Sequence, residues 1–183
     1  MAGSDLPNVE LRQIEPGDKL TGLSLGDATF TPLKTFLQRH ALKYEAQDLA
    51  RTYALFRTDN EKVGGYITVV CGEVVVENGP PLLEADVEYE YSSYPAVKVA
   101  RLAIDRRLRG GGYGRSLVEF VLGLTKDEIC PRVGCRFVMV DSKKESVDFY
   151  SKCGFTMIDT DENRARDEPV MFIDLQKISP DHE

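Results

Sequence analysis

The fold of this chain is indicated by the stretch Val97-Lys-Val-Ala-Arg-Leu-Ala-Ile-Asp-Arg-Arg-Leu-Arg-Gly-Gly-Gly-Tyr-Gly-Arg-Ser-Leu117. Its apolar first part, Val97–Ile104, predicts a buried strand, and an amphipathic helix is predicted to leave from Tyr113-Gly114. Between them, glycines at 110, 111, 112 and 114 allow positive φ angles and a close approach of the backbone to a ligand. Because a helix N-terminus carries unpaired N–H groups and partial positive charge, this turn is suited to bind a pyrophosphate.

Two arginines, Arg109 and Arg115, flank the turn and can add ionic contacts to phosphate. The turn matches neither of two common nucleotide motifs. A P-loop requires Lys followed by Ser or Thr, whereas Arg115-Ser116 follows the last glycine here. A dinucleotide fingerprint read from Gly110 or Gly112 requires a third glycine where Arg115 and Leu117 stand. Two other interpretations stay open at this point, a solvated basic turn and an Arg-Gly-Gly element that contacts RNA.

A second motif lies one strand further along the chain. Cys135–Val140 predicts a buried strand, and Ser142-Lys-Lys-Glu145 predicts a capping box that starts a short helix. This helix carries Asp148-Phe-Tyr-Ser-Lys-Cys-Gly-Phe155 and is predicted to reach about Cys153, where Gly154 ends it.

The remaining elements are predicted on both sides of these motifs. Thr31-Pro32 predicts Thr31 as the N-cap and Pro32 at the first helical position, and helical spacing of apolar residues continues to Tyr44. The polar run Asp159–Glu168 predicts a solvated hairpin loop. Strands are predicted at Val9–Ile14, Arg51–Arg57, Val63–Cys71, Phe155–Ile158 and Val170–Leu175, and Leu82–Tyr91 has alternating character. This order predicts a mixed α/β (α+β) sheet in a single domain over residues 1–183, with its core over residues 9–175.

The composition is typical of a globular protein rather than a disordered or nucleic-acid-coating one. The chain has 183 residues, of which 42% are hydrophobic, and a formal net charge of −7. No apolar run is long enough to span a membrane, and Met1–Glu10 does not resemble a secretory signal, so a cytoplasmic protein is predicted. The absence of a C-x-x-C pair and the presence of only His40 and His182 predict reduced thiols and no metal site. The four cysteines are Cys71, Cys130, Cys135 and Cys153.

Taken together, the two motifs resemble those of the GNAT family of acetyl-CoA-dependent N-acetyltransferases. They are Arg109-x-x-Gly112-x-Gly114 and Phe149-Tyr150-x-x-x-Gly154-Phe155, in the order that the family shows. The resemblance covers roughly residues 9 to 175 and implies the GNAT fold, a mixed, mostly antiparallel central sheet flanked by helices. It also implies acetyl-CoA as the co-substrate, with its pyrophosphate held by the glycine-rich turn.

Four shorter stretches are similar to the GNAT branch that contains the aminoacyl-tRNA-acetylating toxins of toxin–antitoxin pairs. They are Asp27-x-x-Phe30-x-x-Leu33-x-x-Phe36-Leu37, Ala50-Arg-Thr-Tyr53, Gly64-Gly-Tyr66 and Ala100-Arg-Leu-Ala-Ile-Asp105. This similarity implies aminoacyl-tRNA as an acceptor and an antitoxin as a partner. Dimers are common in this fold, but the sequence has no specific interface signal.

The resemblance also implies roles for individual residues. Tyr150 would be the general acid that protonates the leaving thiolate, since a phenol stays protonated at neutral pH. A main-chain N–H of Leu102, Ala103 or Ile104 would point toward the thioester carbonyl oxygen. Many family members carry Asn at the position of Lys143, where it touches the pantetheine arm, so Lys143 is expected to meet a CoA phosphate instead. The set implied to bind the co-substrate in the turn is Arg109, Gly110, Gly111, Gly112, Tyr113, Gly114 and Arg115.

The sequence leaves the general base and the acceptor open. Glu84, Asp86, Glu88 and Glu90 precede the key strand and could relay a proton, although some family members need no strong base. These acids would attract a cationic acceptor such as a polyamine or a Lys-rich peptide. By contrast, residues 98–115 contain six basic residues and one acid, which favours phosphates of CoA and of a tRNA acceptor stem. Three hypotheses follow: an N-acetyltransferase, a non-catalytic module that senses acyl-CoA, and an RNA-binding protein.

Overall fold

A computed structural model of the chain describes residues 8–77, 79, 81–84 and 87–178. The chain divides into two compact units, and each is described here by itself. The first unit consists of Met1–Val70 and Ala100–Val118, and the second consists of Cys71–Val99 and Glu119–Glu183. The single domain over residues 1–183 stays a prediction.

Within the described residues, seven strands form a sheet with the order β1-β2-β3-β4-β5-β7-β6. The pair β4–β5 is parallel, whereas β1–β2, β2–β3, β5–β7 and β6–β7 are antiparallel. The sheet is therefore mixed and mostly antiparallel, as the sequence predicted. The strands are β1 Val9–Gln13, β2 Arg51–Arg57, β3 Val63–Val75, β4 Ser93–Ile104, β5 Phe137–Asp141, β6 Thr156–Met157 and β7 Val170–Asp174.

The α-helices of the described residues are α1 Thr31–Arg39, α2 Ala41–Ala46, α3 Tyr113–Gly123, α4 Val147–Lys152 and α5 Asp161–Ala165. A π-helical segment, Leu124–Ile129, continues α3. Two predictions at α1 were wrong. The N-cap is Phe30 rather than Thr31, because Asp27 instead caps a preceding 3-10 turn by accepting from the backbone N–H of Thr29. The helix predicted to reach Tyr44 is divided at His40, whose φ of −122° departs from helical geometry.

The core of the first unit lies between α1, α2 and the strands β1 to β4. Leu37, Ala54, Tyr66 and Ala103 are among its buried residues. The glycine pair at the start of β3 permits this packing. A Cβ on Gly65 would lie 2.6 Å from Ile104 Cδ1 and 3.0 Å from the Ala103 carbonyl oxygen. A side chain at this position would therefore force β3 away from β4.

The second unit has its own core on the strands β5 and β7. Phe137 is fully buried there and makes edge-to-face contacts with Tyr94 and Phe172. Arg136 joins the two strands through an ion pair of 2.6 Å with the buried carboxylate of Asp174. The unit is therefore held by both apolar packing and a shielded charge pair.

Two local predictions in the second unit were wrong, and a third segment is irregular. Ser142 does not form a capping box, because its hydroxyl donates to the Lys143 carbonyl and the residue before α4 is Ser146. The run predicted as a solvated loop contains α5, whose N-cap Thr160 accepts from the Asn163 amide. The alternating segment before β4 forms no strand in its described residues, 82–84 and 87–91.

Candidate active site

The glycine-rich turn has the strand–turn–helix form that the sequence predicted. β4 ends at Ile104, and α3 begins at Tyr113. Gly110 and Gly112 both have φ of +83°, and a Cβ built on either would meet nothing within 4 Å. The backbone is therefore left-handed at two points and faces open space there. The chemistry of a bare backbone beside a helix start fits a pyrophosphate, which needs close N–H donors and no bulky side chain.

The start of α3 adds directional donors to this turn. The amide of Ser116 donates to the Gly112 carbonyl at 3.0 Å, as the first turn of the helix requires. The amides of residues 113–115 come before this first helical hydrogen bond in the chain. At these positions the N–H groups of a helix point out of its N-terminus. Tyr113 and Gly114 are half-buried and Arg115 is exposed. The partial positive charge of an 11-residue helix is thus directed at the turn.

A buried carboxylate, that of Asp105, fixes the turn in place. It follows β4 directly and accepts from the backbone amides of Ser24 at 2.8 Å and Arg107 at 2.9 Å. The Arg107 guanidinium adds two further bonds of 2.7 Å. Burial alone would raise the pKa of Asp105, but these hydrogen bonds outweigh it and lower the pKa to about 2. The carboxylate is therefore ionised throughout the neutral range.

The turn is also tied to the segment that leads into α1. Arg107 donates to the Gly22 carbonyl at 3.1 Å, and Arg109 donates to the Leu25 carbonyl at 2.8 Å. The Arg109 guanidinium lies 5.5 Å from the centre of the Phe30 ring. The structural role of Asp105 was not predicted from the sequence, where this residue was noted as the one acid of a basic run and as the end of a family-like stretch. The sequence feature that could have indicated this role is a single acid that directly follows a strand and lies inside a basic run.

Three of the six basic residues within residues 98–115 have partners inside the protein. Lys98 belongs to the second unit and pairs with Asp141, while Arg107 pairs with Asp105. Arg101 stacks on the ring of Phe36, with its guanidinium carbon 3.7 Å from the ring centre. The local charge that the sequence suggested is therefore divided among several structural partners.

The end of β4 extends beyond its ladder with β5. The parallel ladder with β5 runs from Ala96↔Phe137 to Val99↔Val140, and β4 continues beyond it to Ile104. The backbone groups of this last part on the β5 side are therefore not used by that ladder. Ala103 is buried in the core of the first unit, and Leu102 and Ile104 are half-buried.

Tyr150 lies on α4 in the second unit, whereas the glycine-rich turn lies in the first. Its ring makes edge-to-face contacts with Phe149 at 5.1 Å and Phe155 at 5.3 Å. Gly154, with φ of +94°, ends the helix as predicted, and the Phe155 amide donates back to the Tyr150 carbonyl. Tyr150 is only 6% exposed, and burial, followed by the nearby Cys153, raises the pKa of its phenol. The phenol is therefore protonated and able to donate at any physiological pH.

The predicted proton relays have different surroundings. Glu84 pairs with Arg136 at 3.2 Å and with Lys177 at 3.6 Å, and its pKa is lowered by a backbone hydrogen bond and by Arg136. Glu88 and Glu90 are exposed. Asp86 lies outside the described residues, as does His182. Lys143 is exposed at the start of a 3-10 turn.

The described part of the chain has neither a cluster of metal ligands nor a membrane-spanning helix. There, no group of three or more His, Cys, Asp or Glu side chains could hold a metal ion. No helix among the same residues combines the length and the apolar character needed to cross a bilayer. The four cysteines are free thiols, of which Cys71 is exposed. Burial and the adjacent Cys130 raise the pKa of Cys135 to about 11.

Comparison with known proteins relates this geometry to a family. The acetyltransferase (GNAT) family model matches residues 25–155. The tRNA-acetylating toxin of Mycobacterium tuberculosis (strain ATCC 25618 / H37Rv) is 25% identical over 162 residues, which cover 88% of this chain and 90% of the toxin.

Two solved structures show the same fold. AtaT complexed with acetyl-methionyl-tRNAfMet has a TM-score of 0.77 and 22% identity, covering 92% of this chain and 96% of that one. A Tyr-to-Phe variant of AtaT bound to the C-terminus of the antitoxin AtaR and acetyl-CoA has a TM-score of 0.69 and 22% identity, covering 92% and 94%. The predicted family, fold and enzyme class, an acetyl-CoA-dependent N-acetyltransferase, are confirmed. Because the family model spans most of the chain, this protein belongs to the acetyltransferase (GNAT) family.

Proposed function

We propose that this enzyme transfers the acetyl group of acetyl-CoA to the α-amino group of an aminoacyl-tRNA. The observation that carries the proposal is the open, left-handed glycine turn at the start of α3, combined with the similarity of nearly the whole chain to a tRNA-acetylating toxin. The turn supplies the co-substrate site, and the similarity supplies the acceptor. A cytoplasmic location and an antitoxin partner are proposed on the same similarity, and a homodimer stays a prediction.

The proposed co-substrate site lies on the turn and on the end of β4. Backbone N–H groups of residues 110–115 would bind the pyrophosphate, with Arg115 adding charge. Arg109 holds the turn through the Leu25 carbonyl, and the remaining donors of its guanidinium are suited to a phosphate oxygen. The residues proposed to bind acetyl-CoA are Leu102, Ala103, Ile104, Arg109, Gly110, Gly111, Gly112, Tyr113, Gly114 and Arg115.

Two groups of the chain take part in the proposed reaction. Acetyl-CoA supplies a thioester, whose carbonyl carbon forms a bond to the amine nitrogen as the bond to sulfur breaks. A backbone N–H within Leu102–Ile104 donates to the carbonyl oxygen, where negative charge develops. Tyr150 donates its phenolic proton to the departing sulfur and regains a proton from solvent. The proton lost by the amine passes to water.

The pKa values of the candidate amines favour aminoacyl-tRNA as the acceptor. An α-amino group has a pKa of roughly 8, so much of it is neutral near pH 7.5, whereas a lysine side chain, with a pKa of about 10.4, is almost entirely charged. An alkylammonium acceptor therefore needs a strong base. Glu84 is ion-paired with a lowered pKa, which makes it a weak base. An acceptor that loses its own proton readily fits this chain better than a polyamine or a Lys peptide.

Acetyl transfer from radiolabelled acetyl-CoA tests the proposal. We expect transfer to total aminoacyl-tRNA, with the label released by mild alkaline hydrolysis of the ester as N-acetyl amino acid. Spermidine and a Lys-rich peptide are the competing acceptors, and deacylated tRNA is the blank. Transfer to spermidine or the peptide alone would replace the proposed acceptor. Binding of acetyl-CoA without transfer to any amine would favour a sensing module.

A further inference from the structure

Arg101 is a cation of the first unit that has no carboxylate partner within residues 8–77, 79, 81–84 and 87–178. It is half-buried on β4, directly before the strand residues proposed to face the thioester. Among the described residues, Arg101 forms no salt bridge, and its guanidinium stacks on the ring of Phe36. Half-buried charges in proteins are normally paired, because removal from water is costly. The described part of the chain therefore provides no anion for Arg101, and an anionic group of a ligand can fill that role.

The contact with Phe36 leaves the hydrogen-bonding edge of the guanidinium available. The guanidinium carbon lies 3.7 Å from the ring centre, a distance at which the flat face of the group rests on the ring. The five N–H donors of a guanidinium lie in its plane rather than on its face. An oxyanion can therefore approach in that plane and accept two bonds at once.

The aromatic platform below Arg101 is fixed by its neighbours. Phe36 is buried on α1 and makes an edge contact of 5.3 Å with Tyr44 and a stacked contact of 6.4 Å with Tyr66. The hydroxyl of Tyr66 donates to the Leu33 carbonyl at 2.8 Å, which ties β3 to α1. The cation is therefore held in one orientation before any ligand arrives, which lowers the entropy cost of binding.

The position of Arg101 separates it from the proposed pyrophosphate site. β4 ends at Ile104 and the turn follows it, so Arg101 precedes Ile104 by about 10 Å of strand, on the side away from the turn. Alternation along the strand places Arg101 on the face of Ala103, which packs in the core with α1. An anion bound at Arg101 is therefore not the pyrophosphate held at the turn.

We propose that Arg101, stacked on Phe36, binds a phosphodiester of the aminoacyl-tRNA acceptor and makes the enzyme select an anionic acceptor over a cationic one. This inference rests on the proposed function. It gives the single-stranded 3′ end of the tRNA a charged contact beside the reacting amine. It also explains why a polyamine would be disfavoured, because it would meet an unneutralised guanidinium.

The test compares wild-type enzyme with Arg101→Met and Arg101→Lys in steady-state acetylation of aminoacyl-tRNA. We expect Arg101→Met to raise the KM for aminoacyl-tRNA by about tenfold or more and to leave the Kd for acetyl-CoA within twofold. The slope of log KM against log salt should fall by about 0.7, the share of one phosphate contact in a single strand. Arg101→Lys should keep most of that slope, since it retains the charge. Arg57→Met is the matched control, because it removes a cation that is already paired with Asp59.

Three results would overturn the inference. An unchanged KM and salt slope in Arg101→Met would show that no phosphate of the acceptor is bound there. A raised Kd for acetyl-CoA would assign Arg101 to the co-substrate phosphates. A fall in Tm together with a lower kcat at unchanged KM would show that Arg101 only supports Phe36. Failure of the wild-type enzyme to acetylate aminoacyl-tRNA would instead refute the proposed function, and this inference with it.

Discussion

Replacement of Asp105 by Asn is expected to loosen the glycine-rich turn and to weaken the binding of acetyl-CoA. The carboxylate accepts four hydrogen bonds, two from backbone amides and two from Arg107, in a site where its side chain is 2% exposed. Its pKa falls from 3.8 to about 2 on folding. At 1.36 kcal/mol per pKa unit, ionised Asp105 contributes roughly 2 kcal/mol to stability.

Asp105→Asn removes this contribution and one of the two acceptor oxygens. Because Arg107 is half-exposed and can be solvated again, we expect a loss of about 2 to 3 kcal/mol rather than more. For a chain of this length that corresponds to a fall in Tm of roughly 5 to 10 °C. The turn should then bind acetyl-CoA about tenfold more weakly, as measured by calorimetry. Asp59→Asn is the control, since Asp59 makes the same chelate with Arg57 but is 54% exposed, and its Tm should fall by about 1 °C or less.

The stability that Asp105 contributes is expected to fall as the pH is lowered. A carboxyl whose folded pKa is depressed stabilises the protein above its unfolded pKa and loses that effect as the pH falls through the folded value. The stability difference between wild type and Asp105→Asn should therefore be complete at pH 5, about half as large at pH 3, and nearly absent at pH 2. Urea unfolding at each pH measures it. A difference that stays constant from pH 5 to pH 3 would refute the assigned pKa, and an unchanged Tm would refute the proposed anchoring of the turn.

Further predictions concern the acid, the turn and the second unit. Tyr150→Phe should lower kcat by roughly 100-fold with the KM for acetyl-CoA little changed, and wild-type kcat should show no loss near pH 10, because burial raises the pKa of the phenol. A kcat within threefold of wild type would remove Tyr150 from that role. Gly112→Ala should weaken acetyl-CoA binding through backbone strain, whereas Gly17→Ala, equally strained at φ of +99° and equally unobstructed, should lower Tm without changing that Kd. Asn163→Ala breaks two bonds to carbonyl oxygens and one from a backbone amide, all buried, so it should cost about 2 to 4 kcal/mol in urea unfolding. A cost below about 1 kcal/mol would show that water replaces those bonds.

Local patterns predicted most of the secondary structure, because the information lies within a few residues. β2 spans Arg51–Arg57 as predicted, and the strand–turn–helix unit around Gly112 follows from one apolar run, clustered glycines and one amphipathic run. The failures are also physical. A hydroxyl can accept from a helix amide or donate to a nearby carbonyl, and Ser142 does the second. α5 lies in a polar run and depends on the buried bonds of Asn163, which no periodicity reveals.

The contacts that shape the candidate site join distant parts of the sequence, so its electrostatics could not be read from the sequence. Asp105 meets an amide 81 residues away, and Arg109 meets a carbonyl 84 residues away. The sequence count of six cations against one acid treats every charge as available to a ligand. Lys98 and Arg107 have carboxylate partners, whereas Arg101 rests on an aromatic ring and has no such partner among the residues that the structure describes. Since a paired cation adds little to the potential felt by a ligand, the preference for an anionic or a cationic acceptor depends on where the cations without carboxylate partners lie more than on the net charge of the segment.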